Sequence, residues 1–207
     1  MDLVKARRRV IDHGEVFTPS WMVDSMLDLV KRESRRIDSR FLEPACGSGN
    51  FLVSVLSRKL ETVRSNYEKS EFESRHQALL ALMCIYGIEL LSDNVAECRS
   101  NLLHVFTEFL NVDSHDTWYK AGREVLSINI AHGDALTMTR SNGQGLIFPE
   151  WAYIGKGRYQ RRDFRYDALT QMSSFGKDTL FGGVDKHEIF VPVEEYPRMS
   201  VEEIARG

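Results

Sequence analysis

Apolar residues along the chain alternate between helical spacing and short unbroken runs. Met22, Val23, Met26, Leu27 and Val30 share one helical face, and Thr18 or Ser20 is placed to cap that helix. A short basic helix over residues 3–10 precedes it, and a charged connection over 31–38 follows. Residues 40–43 read as a short strand and 44–49 as a glycine-bearing loop. Phe51, Leu52, Val55 and Leu56 then form the apolar face of a helix reaching Arg64. After a polar loop over 66–74 comes a helix over 75–83, then a buried strand over 84–89. Ser92 is the expected cap of a helix carrying Val95, Cys98, Leu102, Val105 and Phe109. A third strand is expected over 125–131. Strands alternating with helices predict an α/β domain, its mostly parallel sheet carrying helices on both faces. Beyond Ala135 the pattern weakens. Residues 146–148 are a candidate fourth strand closed by Pro149, and irregular structure is expected after it.

Four features stand where a nucleotide-like ligand needs them. The run Leu42-Glu43-Pro44-Ala45-Cys46-Gly47-Ser48-Gly49 joins a strand to a helix. Glycine lets a ligand approach the backbone closely, and the helix start offers free N–H groups. The third glycine of a dinucleotide fingerprint is missing, as are the lysine and hydroxyl of a triphosphate loop. A carboxylate, such as that of a methionine moiety, suits the same N–H groups. Glu89 ends the next strand, where an acid accepts from ribose hydroxyls, and Leu90 follows it. Asp134 and Ala135 end the third, where an acid accepts from an adenine amine. Phe17-Thr18-Pro19 lies upstream.

Taken together, residues 14–19, 42–52, 86–89 and 133–135 resemble the N6-adenine-specific DNA methyltransferases of restriction-modification systems, over roughly residues 8–135. That resemblance implies a Rossmann-like class I methyltransferase core and S-adenosylmethionine as cofactor. It implies that Phe17, Thr18 and Pro19 wall the methionine end, Glu43 and Gly47 hold its amino and carboxylate groups, Glu89 the ribose and Asp134 the adenine amine. Pro44, Ala45, Gly49, Leu90 and Ala135 complete the lining. The implied organisation is an N-terminal helical segment (1–38), a cofactor-binding core (39–150) and an irregular extension (151–207) contacting DNA or a partner.

The family's Asn/Asp-Pro-Pro-aromatic tetrad, which grips the target amine and stacks on the flipped base, has no recognisable counterpart. Phe148-Pro149-Glu150-Trp151 keeps one proline and the aromatic, leaving Pro149 and Trp151 as weak catalytic candidates. Three functions therefore stand: adenine N6 methylation of DNA, alone or as a subunit beside a second modification or specificity subunit; a methyltransferase-like module that binds DNA or regulates a partner without catalysis; and a methyltransferase acting on RNA or protein, with residues 148–151 reshaped for that acceptor.

Composition narrows this little. A hydrophobic share of 43% and a charged share of 28% allow an ordinary core. The net charge of −3 leaves DNA contact to local clusters, namely residues 5–9 and Lys156, Arg158, Arg161 and Arg162. Cys46, Cys84 and Cys98 show no paired spacing, so disulfides and zinc are not expected and a reducing, cytoplasmic setting is. No metal spacing, signal stretch or membrane span is seen.

Overall fold

The computed structural model describes residues 18–167 and 191–207. Helix α1 (Ser20–Leu29) starts from Pro19, whose carbonyl accepts the Met22 and Val23 N–H groups at 3.0 and 3.1 Å. Neither Thr18 nor Ser20 caps it through a side chain. After α2 (Lys31–Arg35) the chain enters strand β1 (Phe41–Glu43). The entry is held by Lys59, fully buried on helix α3 (Asn50–Tyr67). Its ammonium donates to the carbonyls of Ile37 and Ser39 and lies 5.5 Å from the Phe41 ring. Burial pushes Lys59 down to about 8.

Helix α4 (Glu71–Met83) is capped by the Ser70 hydroxyl and leads into β2 (Ile85–Glu89). Helix α5 (Ser92–Leu110) follows, with Ser92 inside it and Leu91 at the cap position. Helix α6 (Thr117–Asn129) was not foreseen. The apolar run expected as a strand over 125–131 is mostly its last turn, and strand β3 is Ile130–Asp134. The Asp116 carboxylate accepts the Trp118 N–H at 2.7 Å and starts the helix. Ala121, Val125, Leu126 and Asn129 then fall on its buried face.

Strands β1, β2 and β3 are parallel in that order, and β4 (Thr139–Arg140) adds antiparallel to β3. Among the described residues β1 lies at the end of the sheet, and no strand pairs with its outer edge. Both crossovers step the same way, so crossovers of one hand place α3 and α5 on one face. Helices α1 and α3 to α7 pack into a single cluster with Ile85 and Ile130. The expectation of helices on both faces is corrected here. Tyr86, Ile88 and Ala131 point to the opposite face and meet Leu146 and Phe148 instead.

That second face is covered by a hairpin within the extension. Strand β5 (Ile147–Tyr153) pairs antiparallel with β6 (Tyr159–Arg165), and β7 (Glu194–Glu195) pairs with β6. β5 runs through Pro149 rather than stopping there, which an edge strand tolerates because proline's missing N–H faces away from the ladder. The short helix α7 (Val201–Ile204) closes against α6 with a capping box formed by Ser200 and Glu203. No described helix is long and apolar enough to cross a membrane.

Candidate functional site

The C-terminal ends of β1 and β2 bring two of the expected acids together. Glu43 pairs in register with Gly87, two residues before Glu89 on the neighbouring strand. Glu89 is 9% exposed and accepts the Gly47 N–H at 2.8 Å and the Leu91 N–H at 2.9 Å, one on each oxygen. One carboxylate thus clasps the glycine loop to the start of α5. Ionised carboxylate oxygens offer about four acceptor positions, so capacity remains for further donors.

Glu43 is the unsatisfied member. Its Oε2 is buried without a hydrogen-bond partner. Burial, then the neighbouring Glu89 charge, push Glu43 up to about 7 from 4.5. Between these values the folded protein holds a proton that the unfolded chain has released. Stability is therefore expected to fall as pH rises from 4.5 to about 7. Glu43→Gln should flatten that slope in urea melts taken across the window, and an unaltered slope would refute the assignment.

The loop geometry depends on its glycines. Gly47 and Gly49 hold φ of 52° and 88°, in the left-handed region. A Cβ on Gly49 would stand 2.6 Å from the Cys98 sulfur on α5. Gly49→Ala is expected to cost about 2 kcal/mol, the sum of left-handed strain and overpacking. A urea midpoint matching the parent would show that the loop adapts. The Cys98 thiol and burial push the Cys46 thiol upward, which leaves it a neutral packing group. Asn101 steadies the loop by donating to the Ser48 carbonyl at 3.0 Å.

Asp134 ends β3, where its Oδ1 accepts from the N–H of Leu136 at 2.8 Å and of Thr137 at 3.4 Å. Oδ2 makes no hydrogen bond among the described residues. Leu90 is 56% exposed beside Glu89, and the preceding turn is held by His132 Nε2 against the Leu90 carbonyl at 2.9 Å. Pro44 and Ala45 are exposed on the loop, and Ala135 packs beside Tyr86 and Ile88. Thr18 and Pro19 precede α1, which packs on α3 through Val23 and Leu27. Phe17 and the basic run over residues 5–9 lie outside the described residues.

Residues 5–138, well over half of the chain, match the family model described as N-6 DNA Methylase. The chain belongs to the N-6 DNA methylase family. It is similar to a protein from Streptomyces coelicolor (strain ATCC BAA-471 / A3(2) / M145) named adenine-specific methyltransferase PglX, with 25% identity over 134 residues. That stretch is 65% of this chain but only 11% of the relative's length. No solved structure matches the chain.

The weak acceptor-site candidates are both engaged within the fold. Trp151 is 4% exposed, and its indole N–H donates to Asn129 Oδ1 at 3.0 Å. Asn129 immediately precedes β3 and donates to the carbonyls of Met83 and Ile85, at the entry to β2. Trp151 is therefore pinned at the opposite end of the sheet from Glu43, Glu89 and Asp134, with no ring face free for a base. The Pro149 carbonyl is likewise taken by the Tyr86 hydroxyl at 2.9 Å. Of the basic cluster, Arg161 is held by Asp163 at 2.7 and 2.8 Å, Arg162 pairs with Glu150, and Arg158 reaches Glu203 at 3.0 Å. Lys156 makes no ion pair among the described residues. None of the four joins the strand-end site.

Proposed function

We propose that the ends of β1, β2 and β3 bind S-adenosylmethionine and that the chain takes part in adenine N6 methylation of DNA. The Glu43 carboxylate carries this reading. It is drawn out of water beside a second acid, with one oxygen lacking a donor. A ligand presenting an ammonium group supplies both the missing donors and the missing charge, whereas a phosphate there meets two carboxylates. The amino group of a methionine moiety fits that need.

The remaining roles follow from what each group has left to offer. Glu89 has lone pairs for ribose hydroxyls beyond those taken by Gly47 and Leu91, and Asp134 Oδ2 suits an exocyclic amine. The exposed Leu90 side chain gives an aromatic ring an apolar neighbour. Pro44, Ala45, Gly47 and Gly49 bring backbone close, and Phe17, Thr18 and Pro19 serve the methionine end. When bound, the cofactor supplies an electrophilic methyl group. The chain's contribution is to bind and orient it. Adenine as acceptor rests on the family and on the printed name of the Streptomyces relative. Residues that grip the target amine are assigned to a second modification or specificity subunit, or to sequence outside the described part.

Titration calorimetry with S-adenosylmethionine tests the reading. An incoming ammonium favours ionised Glu43, so just below its midpoint of about 7 binding should release a proton. The heat then varies with the buffer's ionisation enthalpy, and Glu43→Gln abolishes that variation. Absence of binding, or binding without proton release, rejects the site. Tritium transfer to unmethylated DNA, with the chain alone and with neighbouring subunits, separates an enzyme from a non-catalytic module.

A further inference from the structure

Away from the strand ends, α4, α6, the β5–β6 turn and the start of α7 line a cleft of about 460 Å³. Its lining includes Phe72, His76, Trp118, Lys156, Arg158 and Glu202, none of which belongs to the strand-end site. The volume lies within the range of small-ligand pockets. Phe72, His76 and Trp118 form a continuous aromatic wall, with ring centroids 4.4 Å apart for the first pair and 5.0 Å for the second. Phe72 is 54% exposed, which leaves part of its ring open to solvent.

The wall is rigid. Tyr159, fully buried, donates its hydroxyl proton to the His76 carbonyl at 3.0 Å while its oxygen lies 2.8 Å from His76 Nδ1. With that proton committed, Nδ1 must be the donor of the second bond, which leaves Nε2 as an acceptor. The turn is also built for close approach. Gly155, Lys156 and Gly157 hold φ of 83°, 53° and 71°, and a Cβ on Gly157 would stand 3.2 Å from the His76 ring and 3.3 Å from Phe72. Lysine at positive φ is strained, and such residues cluster at ligand sites.

Charge completes the picture. Arg158 is shared with Glu203, and Glu202 adds a carboxyl to the lining. Lys156 alone brings a cation without an ion-pair partner among the described residues. Aromatic platforms flanked by cations bind unstacked bases with their phosphates. A single free cation matches the one charge of a phosphodiester rather than the several of a free nucleotide. We propose that this cleft takes one unstacked base of a single-stranded nucleic acid, with the base on Phe72 and Trp118 and its phosphate on Lys156.

The test uses the full chain, a labelled oligo(dT) 12-mer and thymidine monophosphate as probes. The oligonucleotide should quench tryptophan fluorescence in the parent and leave Trp118→Phe unquenched. Phe72→Ala, at a half-exposed position, should weaken binding on the order of tenfold. Lys156→Gly, which relieves the backbone strain, should lower the slope of log affinity against log salt by about 1. Unchanged affinity and salt slope in both variants would overturn the proposal. So would thymidine monophosphate binding as tightly as the oligonucleotide, which marks a mononucleotide pocket instead. Because none of these readouts involves S-adenosylmethionine, their failure leaves the strand-end reading standing, and the converse holds.

Discussion

Glu89→Ala is expected to lower unfolding free energy by about 3 kcal/mol and to abolish measurable S-adenosylmethionine binding. Each of its two bonds joins a buried carboxylate to a backbone N–H, and such charge-assisted bonds contribute roughly 1.5–3 kcal/mol apiece. Both N–H groups sit outside the helix and strand ladders, Gly47 in the glycine loop and Leu91 at the cap position of α5. Relief of the repulsion with Glu43 offsets part of the cost. Glu89→Gln, with one acceptor oxygen in place of two, should fall between. Urea denaturation and calorimetry on the same preparations check both halves. A variant that keeps parental stability and affinity would remove Glu89 from the scheme.

The second large effect is expected at Asn129. Its side chain is fully buried and makes three hydrogen bonds of 3.0 Å, to Met83, Ile85 and Trp151. Asn129→Ala strands two carbonyls and an indole N–H together, a loss of about 4 kcal/mol in urea melts. Trp151→Phe removes only the last bond and should cost about 1 kcal/mol. It should leave cofactor affinity and DNA affinity where they were. A Trp151→Phe protein of parental stability but weakened DNA binding would reinstate Trp151 as a base-stacking residue.

The parts of the molecule that could be read from sequence are those where local chemistry and fold agree. The glycine loop between Glu43 and Asn50, the unbroken apolar run before Glu89 and the strand end at Asp134 each announce themselves, because a buried parallel strand is apolar throughout and its exit needs glycine or acid. Helix α6 was hidden because Val125, Leu126, Ile128, Ile130 and Ala131 crowd across its C-terminus and the start of β3, giving a run that mimics one strand. The signal that would have found it is Asp116 as a cap, with Ala121, Val125 and Asn129 at helical spacing. The β5–β6 hairpin was hidden for another reason. Arg161 and Asp163 satisfy each other while half-buried or buried, so β6 lacks the plain alternation of apolar and polar residues. Lys59 reads as a solvated helix residue, and only the fold reveals that it ties down the entry to β1. The acids of the site were legible as types, but not the orphaned oxygen on Glu43, because burial beside Glu89 is a property of the folded chain.

The end position of β1 has a consequence for solution behaviour. Leu42 is 39% exposed beside the buried Tyr86, at the rim of the sheet. Among the described residues nothing pairs with that edge, and an unpaired strand invites copies of a chain to stack edge to edge into aggregates. With only three residues, β1 gives an intruder too few backbone groups to hold, and the salt bridge from Arg40 to Glu150 places charge beside the approach. Shortness and flanking charge together act as a guard against self-association.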